Sequence, residues 1–237
     1  MRLRDAAIMA LLVLAAPFAA AQEAESPWAG TAKLGYLATS GNTDNSNLNA
    51  GFTVSYSIDD WKHAFAAKAI GSAEGNTTTA EAYEAGWKSE RNLSEKSFLF
   101  GQLDWRKDRF SGFATQFSQT VGYGRRFIDS DVHKLNGEIG FGARQSELID
   151  GTNENESVIR VGMDYKWQLS ETAAFTQVFK FEAGQANTYT ESATAISAQL
   201  VGNLALVASY TIKNNSDVLP TIEKTDTYTA ISLEYTF

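Results

Sequence analysis

Charged side chains recur in this chain at every second position of otherwise apolar runs, and that spacing limits the chemistry they can do. In "VIRVGMDYKW", Arg160, Asp164 and Lys166 alternate with Ile159, Val161, Met163, Tyr165 and Trp167. Residues two apart share one face of an extended strand, so the charges line one side and the apolar groups the other. The same parity collects Lys33, Lys62, Lys68, Lys88, Arg106, Arg126, Arg144, Arg160, Lys166, Lys180 and Lys213 on a common face. With them come Glu84, Asp104, Asp108, Glu138, Asp164, Glu182 and Glu234, so both signs are present with bases in excess. Buried charges must be paired or hydrated. Two readings follow. One is an interior laced with ion pairs, the other a passage with an anion bias, because rings of Lys and Arg favour anions.

Catalysis needs a nucleophile or an activated water and a positioned base, most often histidine. His63 and His133 are the only histidines, and both follow short turns at the start of apolar-alternating runs. His63 shares a face with Trp61 and Phe65, and His133 reads as a solvated turn residue. No G-x-S-x-G, H-E-x-x-H or phosphate loop occurs. The carboxylate pairs are Asp59 with Asp60, a turn, and Asp104 with Asp108, which sit among Arg106 and Lys107. The sequence "DGTNENE" lacks the spaced acids and closing glutamate of a calcium loop. No enzyme activity, cofactor or metal is expected.

What positions these charges is a set of strands. In "NLNAGFTVSY" the apolar side is Leu48, Ala50, Phe52, Val54 and Tyr56, opposed by Asn47, Asn49, Gly51, Thr53 and Ser55. About twelve such runs follow one another, each roughly ten residues long, which is the length a tilted strand needs to cross a bilayer. They begin near Trp28, Ser46, Trp61, Thr79, Ser97, Gln116, His133, Ser157, Ala173, Ala193, Leu204 and Asp226. Gaps after even-numbered runs are short ("SIDD", "DSDV", Gly202-Asn203), and those after odd-numbered runs are longer and polar ("SELIDGTNENE", "AGQANTYTES", "NNSDVLPTIEKT"). The pattern predicts an all-β chain: a transmembrane antiparallel up-and-down barrel of about twelve strands, with short periplasmic turns and longer extracellular loops. A soluble sandwich would show shorter strands and no such asymmetry.

Aromatic residues gather at the short-turn ends: Trp28, Tyr56, Trp61, Trp87, Phe127, Trp167, Tyr235 and Phe237. Amphipathic rings prefer the headgroup level, so they read as a periplasmic girdle. The closing "TYTAISLEYTF" keeps a period of two up to Phe237 and resembles the assembly signal of outer-membrane barrels.

Residues 1–21 carry two arginines, an apolar run and Ala19-x-Ala21, which predicts a signal peptide cleaved after Ala21. A short segment, 22–27, then leads into a barrel over 28–237. No cysteine is present, so neither a lipid anchor on cysteine nor a disulfide framework is available. The net charge is -8, and loss of the signal would make it one unit more negative. That balance repels phosphate and excludes nucleic acid. Acids concentrate in the expected loops (Asp44, Glu74, Glu147, Asp150, Glu154, Glu156, Glu191, Asp217, Glu223, Asp226). Such a rim would attract cations and could share them with lipopolysaccharide phosphates.

Three segments, Ser40-Gly41-Asn42-Thr43-Asp44, "DRFSGF" (Asp108 to Phe113) and "GYGRRF" (Gly122 to Phe127), carry a resemblance over essentially the whole mature chain. The chain resembles the YdiY-like family of salt-induced outer-membrane proteins, otherwise a domain of unknown function. The resemblance implies an outer-membrane barrel and supplies no catalytic residues. Ser40–Asp44 is rich in turn formers and is either a hairpin that fixes register or a recognition loop at the mouth.

Function is therefore expected to be one of two kinds. The first is a narrow pore for ions or small solutes with a mixed-charge, net basic lumen, set by Lys68, Lys88, Asp104, Arg106, Glu138, Arg144, Arg160, Asp164, Lys166 and Lys180. The second is a non-conducting envelope barrel whose acidic loops meet lipopolysaccharide or divalent cations. Expected partners are outer-membrane lipid, lipopolysaccharide and, through the last strand, the barrel-assembly machinery.

Overall fold

The computed structural model describes residues 26–39, 45–75, 77–108, 111–220 and 222–237. The expected signal segment and the Ser40–Asp44 element lie outside them.

Twelve strands alternate along the described chain: β1 Trp28–Thr39, β2 Asn45–Ile58, β3 Trp61–Glu74, β4 Thr77–Ser94, β5 Ser97–Asp108 and β6 Phe113–Asp129, then β7 His133–Leu148, β8 Asn153–Gln168, β9 Ala173–Ala183, β10 Thr188–Val201, β11 Leu204–Asn215 and β12 Thr225–Thr236. Each is antiparallel to its chain neighbour, and β1 pairs with β12 to close the barrel. Closure satisfies every edge, the condition a sheet must meet in hydrocarbon.

Local chemistry sets the short turns. Asp59 sits at φ 49° and Gly202 at φ 52°, the left-handed conformation that two-residue hairpins require. Glycine adopts it freely and aspartate tolerates it. The closing seam is the least extended ladder: Thr31 to Leu34 pair with Thr236 to Leu233. Below them the Gly30 amide donates to the Phe237 carbonyl (2.8 Å) and the Phe237 amide to the Gly30 carbonyl (2.9 Å).

The distribution of polarity is inverted relative to a water-soluble barrel. Outward-facing Phe141 and Ile231 are each 68 % exposed, whereas Arg144 and Glu182 are fully buried inside. An exterior this apolar is stable in lipid, not in water. The aromatic residues of the short-turn ends fall on this outer face, and several touch: Trp28 with Tyr56 (4.6 Å between centroids), and Phe52 with Phe237 (6.3 Å). His63 stacks between Trp61 (5.9 Å) and Trp87 (6.1 Å) and is hydrogen bonded to Ser89 Oγ. His133 differs from the sequence reading. It stacks on Tyr165, lies tilted against Trp167 and is hydrogen bonded to Tyr165 Oη (2.9 Å), so it packs among the aromatics of the short-turn end.

Strands reach further than the alternation suggested at the loop end. Of "SELIDGTNENE", only residues 149–152 lie outside strands, where the Asp150 carboxylate accepts from the Thr152 amide (2.9 Å), which holds its carboxyl below the usual range. Strand β10 likewise begins at Thr188, inside "AGQANTYTES". Residues 216–224 remain as the longest connection.

Candidate functional site: the charged barrel interior

Alternation along β4 to β10 points a dense set of charges inward, and the closed ladder brings them across the lumen to one another. Glu182 on β9 is the centre. Its carboxylate lies 3.2 Å from Arg106, 3.6 Å from Arg144, 3.0 Å from Arg160 and 3.1 Å from Lys180. Asp104 shares two of these cations, Arg160 (3.6 Å) and Lys180 (3.2 Å). Arg144 also meets Glu156 at 2.5 Å and donates to the Asn187 carbonyl, which draws residues 184–187 down onto the wall. The Ala186 amide donates to Glu156 (2.8 Å), tightening the same loop.

Two smaller groups flank this centre. Towards the loops, Lys213 pairs with Glu84, and Lys68 bridges Glu84 (3.7 Å) and Glu191 (3.5 Å). Towards the turns, Lys88 pairs with Glu138 and Glu90. Here Phe98 and Phe100 face inward and are buried, with Lys88 and Arg126 over the Phe98 ring. The rings lie where β6 and β7 carry glycine. A Cβ at Gly124 would stand 2.1 Å from the Phe98 ring, and one at Gly122 would stand 2.7 Å from the Phe100 ring. The glycines of "GYGRRF" are thus the seats of two lumenal phenylalanines.

Three of the expected site residues remain free of such burial. Lys68 keeps 54 % of its side chain exposed, and Asp164 and Lys166 are exposed on the inner face of β8. The excess of positive charge read from parity is corrected by the register. Glu90, Glu156, Glu191 and Asp226 also face inward, against Lys88, Arg144, Lys68 and Lys213, and bring acids level with bases. Sequence alternation missed Glu156 and Glu191 because the outer face there is polar too (Asn155, Ser157, Thr190, Ser192), so no contrast marks the strand. Exposed lumenal charge nevertheless stays mostly basic, with Lys62, Lys68 and Lys166 against Asp164.

The occupants are unevenly placed. β4 to β9 carry the large groups, whereas β2 (Gly51, Thr53, Ser55) and β11 (Ala205, Val207, Ser209) carry small ones. Space remains beside the large groups: a chamber of about 290 Å³ lined by Lys68, Lys88, Asp104, Arg106, Glu138 and Arg160, among others on strands β3 to β10. Val178, inward by alternation with Lys180, is 43 % exposed to it. Above the chamber the path tightens. The Tyr189 ring covers the Arg106 guanidinium at 3.8 Å and its hydroxyl donates to Glu191 (2.9 Å). Ser111 and Phe113 are buried beside them, and the Ile149 amide donates to the Gly112 carbonyl (3.1 Å). The cavity left there measures about 20 Å³, room for about one water. Among the described residues no group of three or more His, Cys, Asp and Glu side chains is arranged to hold a metal ion.

Comparison with known proteins agrees with this geometry. The family described as "Protein of unknown function, DUF481" matches residues 32–237. "Uncharacterized protein YdiY" of Escherichia coli (strain K12) is 33 % identical over 214 residues, covering 90 % of this chain and 84 % of that protein. Among solved structures, the NanC porin superposes with a TM-score of 0.51 at 10 % identity, covering 87 % of this chain and 97 % of that one. The likeness to NanC is one of fold.

Proposed function

The chain belongs to the DUF481 family, and on that premise we propose that it is a narrow outer-membrane pore for ions and small solutes. The chamber beside the ion-pair lattice is the observation that carries this reading. Charges that only filled the barrel would leave no space of about 290 Å³ faced by water-exposed Lys68 and Val178. The lattice holds large side chains against β4 to β9, and small inward residues that line the chamber, Ala66, Gly86 and Gly162, leave the passage. Because the exposed lumenal charges are mostly lysines, the passage favours anions modestly. Regulation by salt or osmotic stress is the physiological setting that the family resemblance suggests.

A second reading has its own support. Arg106, Tyr189 and Phe113 narrow the loop end to a water-sized space, as a structural barrel that conducts nothing would. Its acidic loops would then be the active surface, meeting lipopolysaccharide directly or through divalent cations. Single-channel recording of refolded protein in a planar bilayer, under a salt gradient, separates the two. Discrete steps with an anion-selective reversal potential are expected. A silent bilayer, with insertion verified, would overturn the pore in favour of the closed barrel.

A further inference from the structure

The outer wall carries little charge, and what it carries at the turn end is of one sign. Trp61 of β3, Arg91 of β4, Leu99 of β5 and Tyr123 of β6 form one outward-facing row, and Ser97 pairs with Arg125 beside it on the turn side. Among the described strand residues, Arg91 and Arg125 are the only Lys, Arg, Asp or Glu side chains that face outward at this end. Both are exposed, and neither has a carboxylate within ion-pair distance among the described residues. The acids of the adjoining turns, Asp60, Glu95 and Asp129, border the mouth of the lumen with Arg126 instead, and Asp129 is held by Lys134 at 2.9 Å.

The groups between the two arginines suit an oxyanion. The Arg91 guanidinium lies 5.7 Å from the centre of the Trp61 ring, which steers it along the wall. Ser97 Oγ and Tyr123 Oη are 2.9 Å apart, and since one donates to the other, one hydroxyl hydrogen stays free. Arg125 borders that pair of hydroxyls. Strands two apart stand ~10 Å from each other and two residues add ~7 Å along them, so two extended guanidinium groups can close on one group between them. Further up β5, Gly101 leaves a dip between exposed Leu99 and Leu103, where a Cβ would meet no atom within 4 Å. An exposed arginine at headgroup depth is compensated by lipid phosphate, whose oxygens its planar fork matches.

We propose that this patch holds one anionic glycerophospholipid of the turn-side leaflet, with its phosphodiester between Arg91 and Arg125. The free hydroxyl hydrogen of the Ser97–Tyr123 pair is donated to the same phosphate, and an acyl chain runs over Leu99 and Gly101 towards Leu103. A zwitterionic headgroup would bring its own cation against the arginines and is disfavoured. The site rests on the outer-membrane reading, in which short turns face the periplasm and its phospholipid leaflet. It does not depend on conduction.

The test uses the refolded barrel in dodecyl maltoside and native mass spectrometry, with dioleoyl-phosphatidylglycerol or dioleoyl-phosphatidylcholine added. One phosphatidylglycerol per barrel is expected, bound about tenfold more tightly than phosphatidylcholine. Arg91→Gln combined with Arg125→Gln should abolish that preference, and Tyr123→Phe should lower it with the charge unchanged. If the double variant does not refold, Arg125→Gln alone serves in its place. Equal binding of the two lipids by the wild type, or a preference unchanged in the folded arginine variant, would overturn the site. Displacement of the lipid by millimolar inorganic phosphate would overturn the lipid as occupant. A barrel that shows the preference but passes no current would uphold the site and remove the pore.

Discussion

Replacing Glu182 with glutamine removes the carboxylate that four lumenal cations share, and the geometry says which cation suffers. Arg160 and Lys180 keep Asp104, and Arg144 keeps Glu156. Arg106 keeps no carboxylate within ion-pair distance among the described residues, since Glu182 at 3.2 Å is its one such partner. Removing one member of a buried pair costs ~3–5 kcal/mol, because the other charge stays desolvated. The glutamine carbonyl still accepts a hydrogen bond, and the Tyr189 face still covers the guanidinium, so the lower end, ~3 kcal/mol, is expected. Urea unfolding in phospholipid vesicles, read by tryptophan fluorescence, measures it. The cause is checked by adding Arg106→Gln, which removes the orphaned cation and should return at least half of the loss. A Glu182→Gln barrel within ~0.5 kcal/mol of the wild type, the range of an ordinary surface change, would refute the reasoning. So would losses that merely add in the double variant, because residues in one network must couple.

Other expectations follow from single contacts. Gly124→Val drives a side chain into the Phe98 ring and should destabilise the barrel by ~1–3 kcal/mol, with Phe98→Ala restoring much of it; additive losses would mean the ring is not seated there. Phe113→Ala opens the narrow loop end and should raise single-channel conductance, while unchanged current would place the constriction elsewhere. Lys68→Glu reverses a lumenal charge whose side chain is 54 % exposed and should move the reversal potential towards cation selectivity, a shift that a path avoiding β3 would not show. Phe237 lies over Gly30 and stacks on Phe52 at the closing seam. Phe237→Ala is expected to lower assembly into membranes far more than unfolding stability in detergent, because apolar burial against protein gains little over burial in lipid. Equal losses in both assays would assign the ring a purely packing role.

The alternation of Leu48, Phe52 and Tyr56 with Asn47, Thr53 and Ser55 carries its meaning locally, because a strand's faces are fixed by its own pleat. Fold class, strand number, the outward direction of the aromatics at the short-turn end and the inward direction of Arg106, Arg144 and Arg160 were therefore legible in the sequence. Strand ends at the loop side were not. Above the membrane both faces are polar, so Glu156 and Glu191 look like loop acids until the ladder with β7 and β11 places them inside. Nor could the sequence pair its charges. Arg106 and Glu182 stand on β5 and β9, with β6, β7 and β8 between them on the shorter way round the wall, and meet only across a closed lumen. Whether inward residues fill that lumen or leave a chamber depends on which ones face each other, as Phe98 and Phe100 against Gly122 and Gly124 show. Local periodicity sets the side of the wall a residue takes, and closure with its register sets what it meets across the interior.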